Sequence, residues 1–573
     1  MKIAIPAKGK TILEAARELN IPIEAACGGR GKCGKCKIKL LKGQCSPLHE
    51  DERLLLTEEE IAQGYRLACR AVPVEEVEIA IPDKGKGSDR KKGMASLPDD
   101  FIPSPAVKKA YIKLPKPTFE DQRSDCTRIN AALGAMPHPR LLSCLSPILR
   151  SKKGCTAAMV NGQIIALEEG DTTSSCYGLA IDIGTTTAVT MLWDLSTFEC
   201  LGTAARTNPQ SLYGGDVISR IQHCAMSQTG LEELQACIIG CVNDMIAELA
   251  EKCRIDPLHI YDITIVGNTT MGHLFLGVDP KPLARSPFAP VFVEGQSRRA
   301  HELGINANPL AAAYFLPHMA GHVGADITGV LLSTGIKEKP GAYLAIDIGT
   351  NGEMVLGNKE LMIACATAAG PALEGANIRC GMRAMDGAID HVWLESGAVK
   401  CSVIGGGGAR GICGSGLIDA VAVGLKLGLI NRRGRIGNDD HTFHLTKDVY
   451  LTQEDIRQVQ LAKGAIYAGI CLMAEQLGLE IGDIQKVQLA GAFGSYLNPD
   501  NACRIGLLPE ELLAKIEAVG NAAGSGAKIL ACDQDLLGFT EKLIEHVKVL
   551  ELASLRAFPK IFARAMGFRE ECV

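Results

Sequence analysis

Ala180-Ile181-Asp182-Ile183-Gly184-Thr185 and Ala345-Ile346-Asp347-Ile348-Gly349-Thr350 are one hexapeptide written twice, 165 positions apart, in a chain of 573 residues. Each copy follows apolar residues, Tyr177 to Leu179 and Tyr343 to Leu344, that read as the end of a buried strand. Each then sets a carboxylate at the strand's tip and a glycine and a threonine in the turn beyond it. Glycine lets backbone N–H groups come close to a phosphate, and threonine adds a hydroxyl donor. An aspartate in such a turn suits a magnesium ion, directly or through its water shell. Either copy alone reads as an ordinary hairpin turn. The repetition predicts more: a duplicated lobe, with two phosphate loops facing each other across a nucleotide-binding cleft.

The composition around these loops is that of a globular protein, 47% hydrophobic and 22% charged, with room for three or four domains. A formal net charge of −5 gives no electrostatic case for wholesale nucleic-acid binding. There is no run of about 18 uncharged apolar residues to span a membrane, and Met1 to Pro6 reads as a strand rather than a secretory signal. Twenty-two cysteines in such a chain argue for reduced thiols, a cytoplasmic location and metal ligation.

Upstream of the loops, Lys2 to Ile5 alternates like a strand. Thr11 and Glu14 form a capping box for a helix whose apolar face is Ile12, Leu13, Ala16 and Leu19. Cys27, Cys33 and Cys36 then follow in a C-x5-C-x2-C run, with Cys69 after 32 further residues. Zinc ribbons pair two C-x2-C knuckles, and only one occurs here. Three thiolates in one glycine-rich loop plus a distant fourth suit a [2Fe–2S] cluster, with backbone N–H groups free to bond its sulfurs. Zinc is the alternative. The loop resembles that of ferredoxin domains, of the adrenodoxin type in its x5 gap. That resemblance implies a β-grasp fold with Cys27, Cys33, Cys36 and Cys69 as ligands. Cys45 lies outside the pattern and reads as a structural thiol. Arg30, Lys32, Lys35, Lys37 and Lys39 crowd the loop, as solvated surface or as a docking patch for an acidic redox partner.

Asp83 to Gly93 is charged, glycine-rich and poor in apolar residues, which predicts a flexible tether. Beyond it a small unit predicts helices near Arg128 to Leu133 and Leu141 to Leu149, and strands at Ala157 to Val160 and Gln163 to Leu167. It carries no chemistry of its own. In the large remainder, Gly184 to Thr187 reads as a strand-to-strand turn, since the lysine and helix of a P-loop are missing. Leu231, Leu234, Ile238, Val242, Met245, Ile246 and Leu249 mark a long amphipathic helix. Gly267-Asn268-Thr269-Thr270 reads as a turn aiming polar groups at the cleft. Gly411 to Gly416 opens a helix over Leu417 to Leu427 whose N-terminus could hold an anion. Val487 to Gly494 is a strand entering a small-residue turn, against which an adenosine could lie.

Two phosphate loops and a late glycine turn resemble the actin, sugar-kinase and Hsp70 superfamily. Gly267 to Met271, Gly370-Pro-Ala-Leu-Glu374-Gly375, Gly411 to Gly416 and Gln460 to Ala465 sharpen this. With the N-terminal cysteine loop, the chain resembles the reductive activators of corrinoid proteins from end to end. The resemblance implies an α+β and α/β multidomain protein: a β-grasp ferredoxin domain (1–83), a flexible linker (84–105), a small middle domain (106–176), and two RNase-H-like lobes (177–335 and 336–573). It implies an ATP-dependent reductase that returns a partner's cob(II)alamin to cob(I)alamin, with a [2Fe–2S] cluster, ATP and Mg2+ as cofactors. Asp182 and Asp347 would manage magnesium. Gly184, Thr185, Thr186, Thr187, Gly349, Thr350 and Asn351 would hold phosphates, and Gly491 and Gly494 would line the adenosine side. The partners would be a low-potential electron donor and a corrinoid protein, of the methyltransferase or the iron–sulfur type, with no membrane or nucleic acid and with room for a homodimer. Some activators carry C-terminal ferredoxin-like cysteine runs. This chain ends Glu570-Glu571-Cys572-Val573, so no [4Fe–4S] cluster is expected. Two other classes fit the same motifs: an Hsp70-like, redox-sensing ATPase that remodels a partner, and a small-metabolite kinase with an accessory ferredoxin.

Overall fold

A computed structural model describes residues 2–7, 9–19, 21, 23, 29, 31, 34, 36–81, 104–349, 351–494, 496–533 and 535–568. The tether lies outside the described residues as far as 103. The first domain is a four-stranded sheet. Its strands run in the order Lys2–Ile5, Val77–Ala80, Lys37–Lys42, Tyr65–Leu67, with the helix Ile12–Glu18 packed against it. The capping box is present: Thr11 N donates to Glu14 Oε2 at 2.8 Å, and Glu14 N to Thr11 Oγ1 at 3.2 Å. Ile12, Leu13 and Ala16 are buried. Leu19, expected beside them, is 47% exposed, because the helix closes at Glu18 and Leu19 falls in the turn beyond it.

The small unit is a second four-stranded sheet: Val107–Ile112, Cys155–Val160, Gln163–Glu169 and Met136–Pro137. It carries the helices Asp125–Leu133 and Leu142–Leu149. Ser124 caps the first helix and Gly134, with φ at 65°, ends it. This unit shares a core with the lobe that begins at Tyr177, since Val107, Ala158 and Ile165 pack with Leu195, Tyr261 and Leu310. Buried Lys109 seals the seam, donating to Glu168 Oε2 at 2.7 Å and to the Ser175 carbonyl at 2.9 Å.

The two hexapeptides occupy equivalent places in two six-stranded sheets. Tyr177–Ile183 pairs antiparallel with its hairpin partner Thr187–Asp194 and parallel with Ile260–Gly267. Tyr343–Ile348 pairs antiparallel with Gly352–Gly357 and parallel with Lys486–Ala490. The helix Gly230–Cys253 covers the first sheet with Leu234, Ile238, Val242, Met245, Ile246 and Leu249. In the second lobe Lys463, buried within the helix Gln453–Leu477, donates to the carbonyls of Ala565 and Gly567, each at 2.5 Å. It thereby caps the final helix Phe558–Ala565.

Two helices cross between the lobes. Ala325–Thr334 leaves the first lobe. Ala522–Cys532, which the expected division puts in the second, packs in the first-lobe core beside Ile181, Met191 and Ile265. They meet at Gly329 and Gly526. A Cβ on Gly329 would stand 2.5 Å from the Ala523 carbonyl oxygen, so only glycine permits this approach. Among the described residues no helix is long and apolar enough to cross a membrane.

Two local expectations change. Gly267 to Thr270 is not an open turn: Asn268, a strong N-cap residue, starts the helix Thr269–Leu276 and accepts from Met271 N at 3.0 Å, burying both threonines. The helix expected from Leu417 begins at Gly414, and its first turn is buried against the carbonyls of Leu373 and Ile389. That end abuts protein where an anion was expected. Gly491–Gly494 is a short helical turn after its strand.

Candidate functional site

In the first domain, Cys36 and Cys69 are buried with their sulfurs 3.3 Å apart and unbonded as a disulfide. Cys36 sits at the mouth of Lys37–Lys42. Cys69 follows Tyr65–Leu67, whose end is fixed by buried Glu52. That carboxylate accepts from Arg66 Nε and Nη2 and from Leu67 N, each at 2.9 Å. Gly29 and Gly31 lie in the left-handed region at φ 90° and 76°, and a Cβ on Gly29 would come within 3.2 Å of Leu13 and 3.9 Å of Cys69 Cβ. Gly29 therefore lies directly against Cys69. Paired buried thiols under a glycine loop have the chemistry of an iron–sulfur site. Cys27, Cys33, Arg30, Lys32 and Lys35 lie outside the described residues. Lys37 pairs with Glu60 at 2.5 Å, and Lys39 stands over the Tyr65 ring. Cys45 is half-buried against the core of the same domain, and burial pushes its thiol up.

In the cleft the first loop is held from behind. Gly184 N donates to the Thr187 carbonyl at 3.0 Å, and Asn208 donates through Nδ2 to Gly184 and through N to Thr186, both at 2.9 Å. Fully buried Arg220 donates to the carbonyls of Gly214, at 3.0 Å, and Thr185, and to Gln210 Oε1 at 3.0 Å. Desolvation brings its guanidinium down to about 9. The three threonines are not equivalent. Thr185 Oγ1 accepts from Asn268 Nδ2 at 3.0 Å, whereas Thr186 Oγ1 reaches across the cleft to Glu374 Oε2 at 2.6 Å. Thr187 begins the returning strand.

The second loop closes through Gly349 N on the Asn351 carbonyl at 2.9 Å; Thr350 lies outside the described residues. A Cβ on Gly349 would stand 3.6 Å from Glu374 Oε1, so this one carboxylate lies between both loops. Gly491 is at φ 82°, and a Cβ there would meet Asp347 Oδ1 at 2.6 Å, so its bareness leaves Asp347 in place. Gly494 backs onto Leu489, away from Asp347. Asp182 Oδ2 accepts from Asn521 Nδ2 at 2.9 Å, and Asn521 caps the second crossing helix.

Two further acids join them. Asp326, at the start of the first crossing helix, has its carboxyl raised by burial and then by the charge of Asp182. Glu353, opposite Asp347 in the hairpin, is raised by burial and then by Asp326 and Asp347. Asp182, Asp326, Glu353 and Asp347 thus form one acidic set drawn from both lobes. Among the described residues no three acids, cysteines or histidines converge closely enough to chelate a metal by themselves. A cation here would complete its shell with phosphate oxygens and water, which is magnesium's habit. Reading the sequence missed Asp326, Asn521, Arg220 and the role of Glu374. Glu374 stood inside a motif already singled out and Glu353 lies just past the second hexapeptide, whereas Asn521 gave no signal.

Comparison with known proteins bears on both centres. Residues 1–74 match the 2Fe-2S iron-sulfur cluster binding domain, 97–174 the RACo linker region, 177–339 the RACo middle region, and 341–573 the C-terminal domain of RACo, the ASKHA domain. The chain is 31% identical over 572 residues to the corrinoid activation enzyme RamQ of Eubacterium limosum, covering 95% of this chain and 93% of that one. It is 28% identical over 394 residues to the [Co(II) methylated amine-specific corrinoid protein] reductase of Methanosarcina barkeri, covering 63% of this chain and 71% of the other. A solved structure described as a reductive activator for corrinoid, iron-sulfur protein superposes with a TM-score of 0.76 at 34% identity, covering 99% of this chain and 96% of that chain.

Proposed function

We propose, because this chain belongs to the RACo family of corrinoid-protein activators, that it uses ATP to return an oxidised corrinoid protein from cob(II)alamin to cob(I)alamin, one electron at a time. The observation that carries this reading is a pair of buried thiols 3.3 Å apart, not joined as a disulfide, on the same chain as a cleft lined by two phosphate-type loops. A one-electron carrier fused to an ATP-driven clamp is useful where the electron must travel uphill. A [2Fe–2S] centre of plant type works near about −400 mV, and each ~100 mV by which a cobalt couple lies lower costs about 2.3 kcal/mol per electron.

Cys27, Cys33, Cys36 and Cys69 would hold the cluster, which supplies one-electron storage when bound. Glu52 and Arg66 keep Cys69 in place from behind. In the cleft, Asp182 and Asp347 would orient the waters of a magnesium ion. Gly184, Thr186, Gly349, Thr350 and Asn351 would present N–H and hydroxyl donors to phosphate, and Thr187 would flank them. Thr185, tied to Asn268, fixes the loop's shape. Gly491, bare of a Cβ, leaves Asp347 in its place on the adenosine side, and Gly494 supports that turn. Because the acids come from both lobes, Mg-ATP held between them would favour an arrangement in which both lobes contact it. Closing would change the grip on the corrinoid protein and so the cobalt's surroundings. The many free cysteines suit the reducing cytoplasm. The test is anaerobic mixing of the full chain with cob(II)alamin forms of a methyltransferase corrinoid protein and of a corrinoid iron–sulfur protein, reductant and ATP. ATP-dependent cob(I)alamin absorbance with one of them is expected; its absence with every corrinoid protein tried, despite ATP hydrolysis, would refute the reading.

A further inference from the structure

Arg220 and Arg383, both near the first phosphate loop, differ in what they hold. Arg220 spends its guanidinium on Thr185, Gly214 and Gln210 and is a strut. Arg383 comes from the other lobe, in the segment just after Gly370 to Gly375. It reaches across the cleft, donating from Nη1 to Thr207 Oγ1. Thr207 lies directly opposite Thr187 in the hairpin, and its neighbour Asn208 donates to the Thr186 carbonyl. Arg383 therefore stands at the rim of the first loop.

The charges around it are arranged for exchange. Burial disfavours the Arg383 guanidinium, and the charge of Glu374 offsets this. Glu374 itself accepts from the Thr186 hydroxyl at 2.6 Å and lies beside Gly349, in the space between the loops. A phosphate entering that space cannot share it with a carboxylate, since like charges repel strongly in a partly desolvated cleft. Once Glu374 withdraws, Arg383 loses a nearby negative charge, and phosphate is the anion that replaces it. Guanidinium has the planar fork that matches phosphate oxygens, and among the described residues Arg383 makes one hydrogen bond, to Thr207.

We infer that Arg383 is an arginine finger supplied in cis from the second lobe, exchanging Glu374 for the terminal phosphate of ATP. Hydrolysis breaks the bond from the terminal phosphorus to the bridging oxygen as a water oxygen bonds to that phosphorus, giving ADP, inorganic phosphate and a proton to solvent. Arg383 offsets the charge that spreads over the transferring oxygens. The inference rests on the nucleotide reading of the cleft.

The test compares Arg383→Ala, Arg383→Lys and Glu374→Gln in the full chain. It measures calorimetric affinities for Mg-ADP and for a non-hydrolysable Mg-ATP analogue, and kcat for hydrolysis. In Arg383→Ala the analogue's affinity should fall at least about 10-fold while that of ADP stays within about 3-fold, and kcat should fall on the order of 10³-fold. Arg383→Lys should recover part of the analogue's affinity. Glu374→Gln, which removes the competing charge, should bind the analogue several-fold more tightly. Equal losses for ADP and analogue with a lowered melting midpoint would make Arg383 a structural clasp and overturn the inference. So would an Arg383→Ala chain that keeps its preference for the analogue. If the unaltered chain binds neither nucleotide, the reading of the cleft fails first.

Discussion

Asp347→Asn separates a metal-managing acid from a turn cap, because the two roles move stability in opposite directions. Asp347 and Glu353 face each other across the second hairpin. Directly opposed Cβ atoms in such a ladder lie about 5 Å apart. At that separation like charges repel by about 1 to 3 kcal/mol, for effective dielectric constants from 80 down to 20. Asparagine keeps the shape and removes the charge, so repulsion on Glu353 is relieved. The nucleotide-free ATPase lobes should then melt at the same temperature or a few degrees higher, for a gain of that size. Hydrolysis should fall on the order of 10²-fold, because a misplaced cation loses both positioning and charge stabilisation. The cluster domain is separate, so its visible spectrum and its reduction by dithionite should not change, while corrinoid reduction should nearly stop. Differential scanning fluorimetry, a phosphate-release assay and the cob(I)alamin absorbance read the three quantities. A lower melting midpoint with only a modest, parallel decline of both activities would show that Asp347 merely caps a turn. Normal hydrolysis would remove the second loop from the nucleotide site.

Anaerobically purified protein should contain about two irons and two acid-labile sulfides per chain, and Cys69→Ala should lose them; stoichiometric zinc with little iron would refute the assignment. Burial holds the Asp262 carboxyl up at about 7 and also raises Asp326 and Glu353. A carboxyl raised on folding binds more protons folded than unfolded, so its contribution to stability declines as pH climbs from the ordinary carboxylate range through its folded value. The nucleotide-free melting midpoint should therefore be lower at pH 8 than at pH 6, and Mg-ATP should narrow the gap by neutralising the Asp326 and Glu353 share; an unchanged gap would count against a cation between them. Lys463→Met removes two 2.5 Å bonds to helix-end carbonyls, worth about 3 kcal/mol together. Amide exchange over residues 558–568 should accelerate on the order of 10²-fold, and no change there would show that the last helix is held by its apolar face alone.

What the sequence disclosed was whatever is written locally. A hexapeptide repeated after apolar residues foretold two equivalent strands, and the structure gives both the same antiparallel and parallel neighbours. Thr11 with Glu14 foretold a cap, and the 3.6-residue spacing from Leu231 to Leu249 foretold the helix Gly230–Cys253. The cleft's chemistry was half visible for the same reason. Asp182 and Asp347 sit in the repeated words, but what holds or opposes them comes from far along the chain. Asn521 bonds Asp182 across 339 residues, and Glu374 meets Thr186 across 188. Neither partner has a periodicity or a spacing that marks it, because its meaning arises only when the chain returns. The helix Ala522–Cys532 shows this most fully. Its run of small residues looks like filler after the second lobe's strands, yet those residues let it lie within backbone contact of Ala325–Thr334, in the first lobe's core. Asn521 at its head bonds the first loop's aspartate, while the Cys532 carbonyl at its tail accepts from Ser104 N at 2.9 Å, where the described chain resumes after the ferredoxin domain. A single short helix thus touches both the acid of the proposed nucleotide site and the segment that follows the cysteine-loop domain. No pattern within its own eleven residues could have announced that.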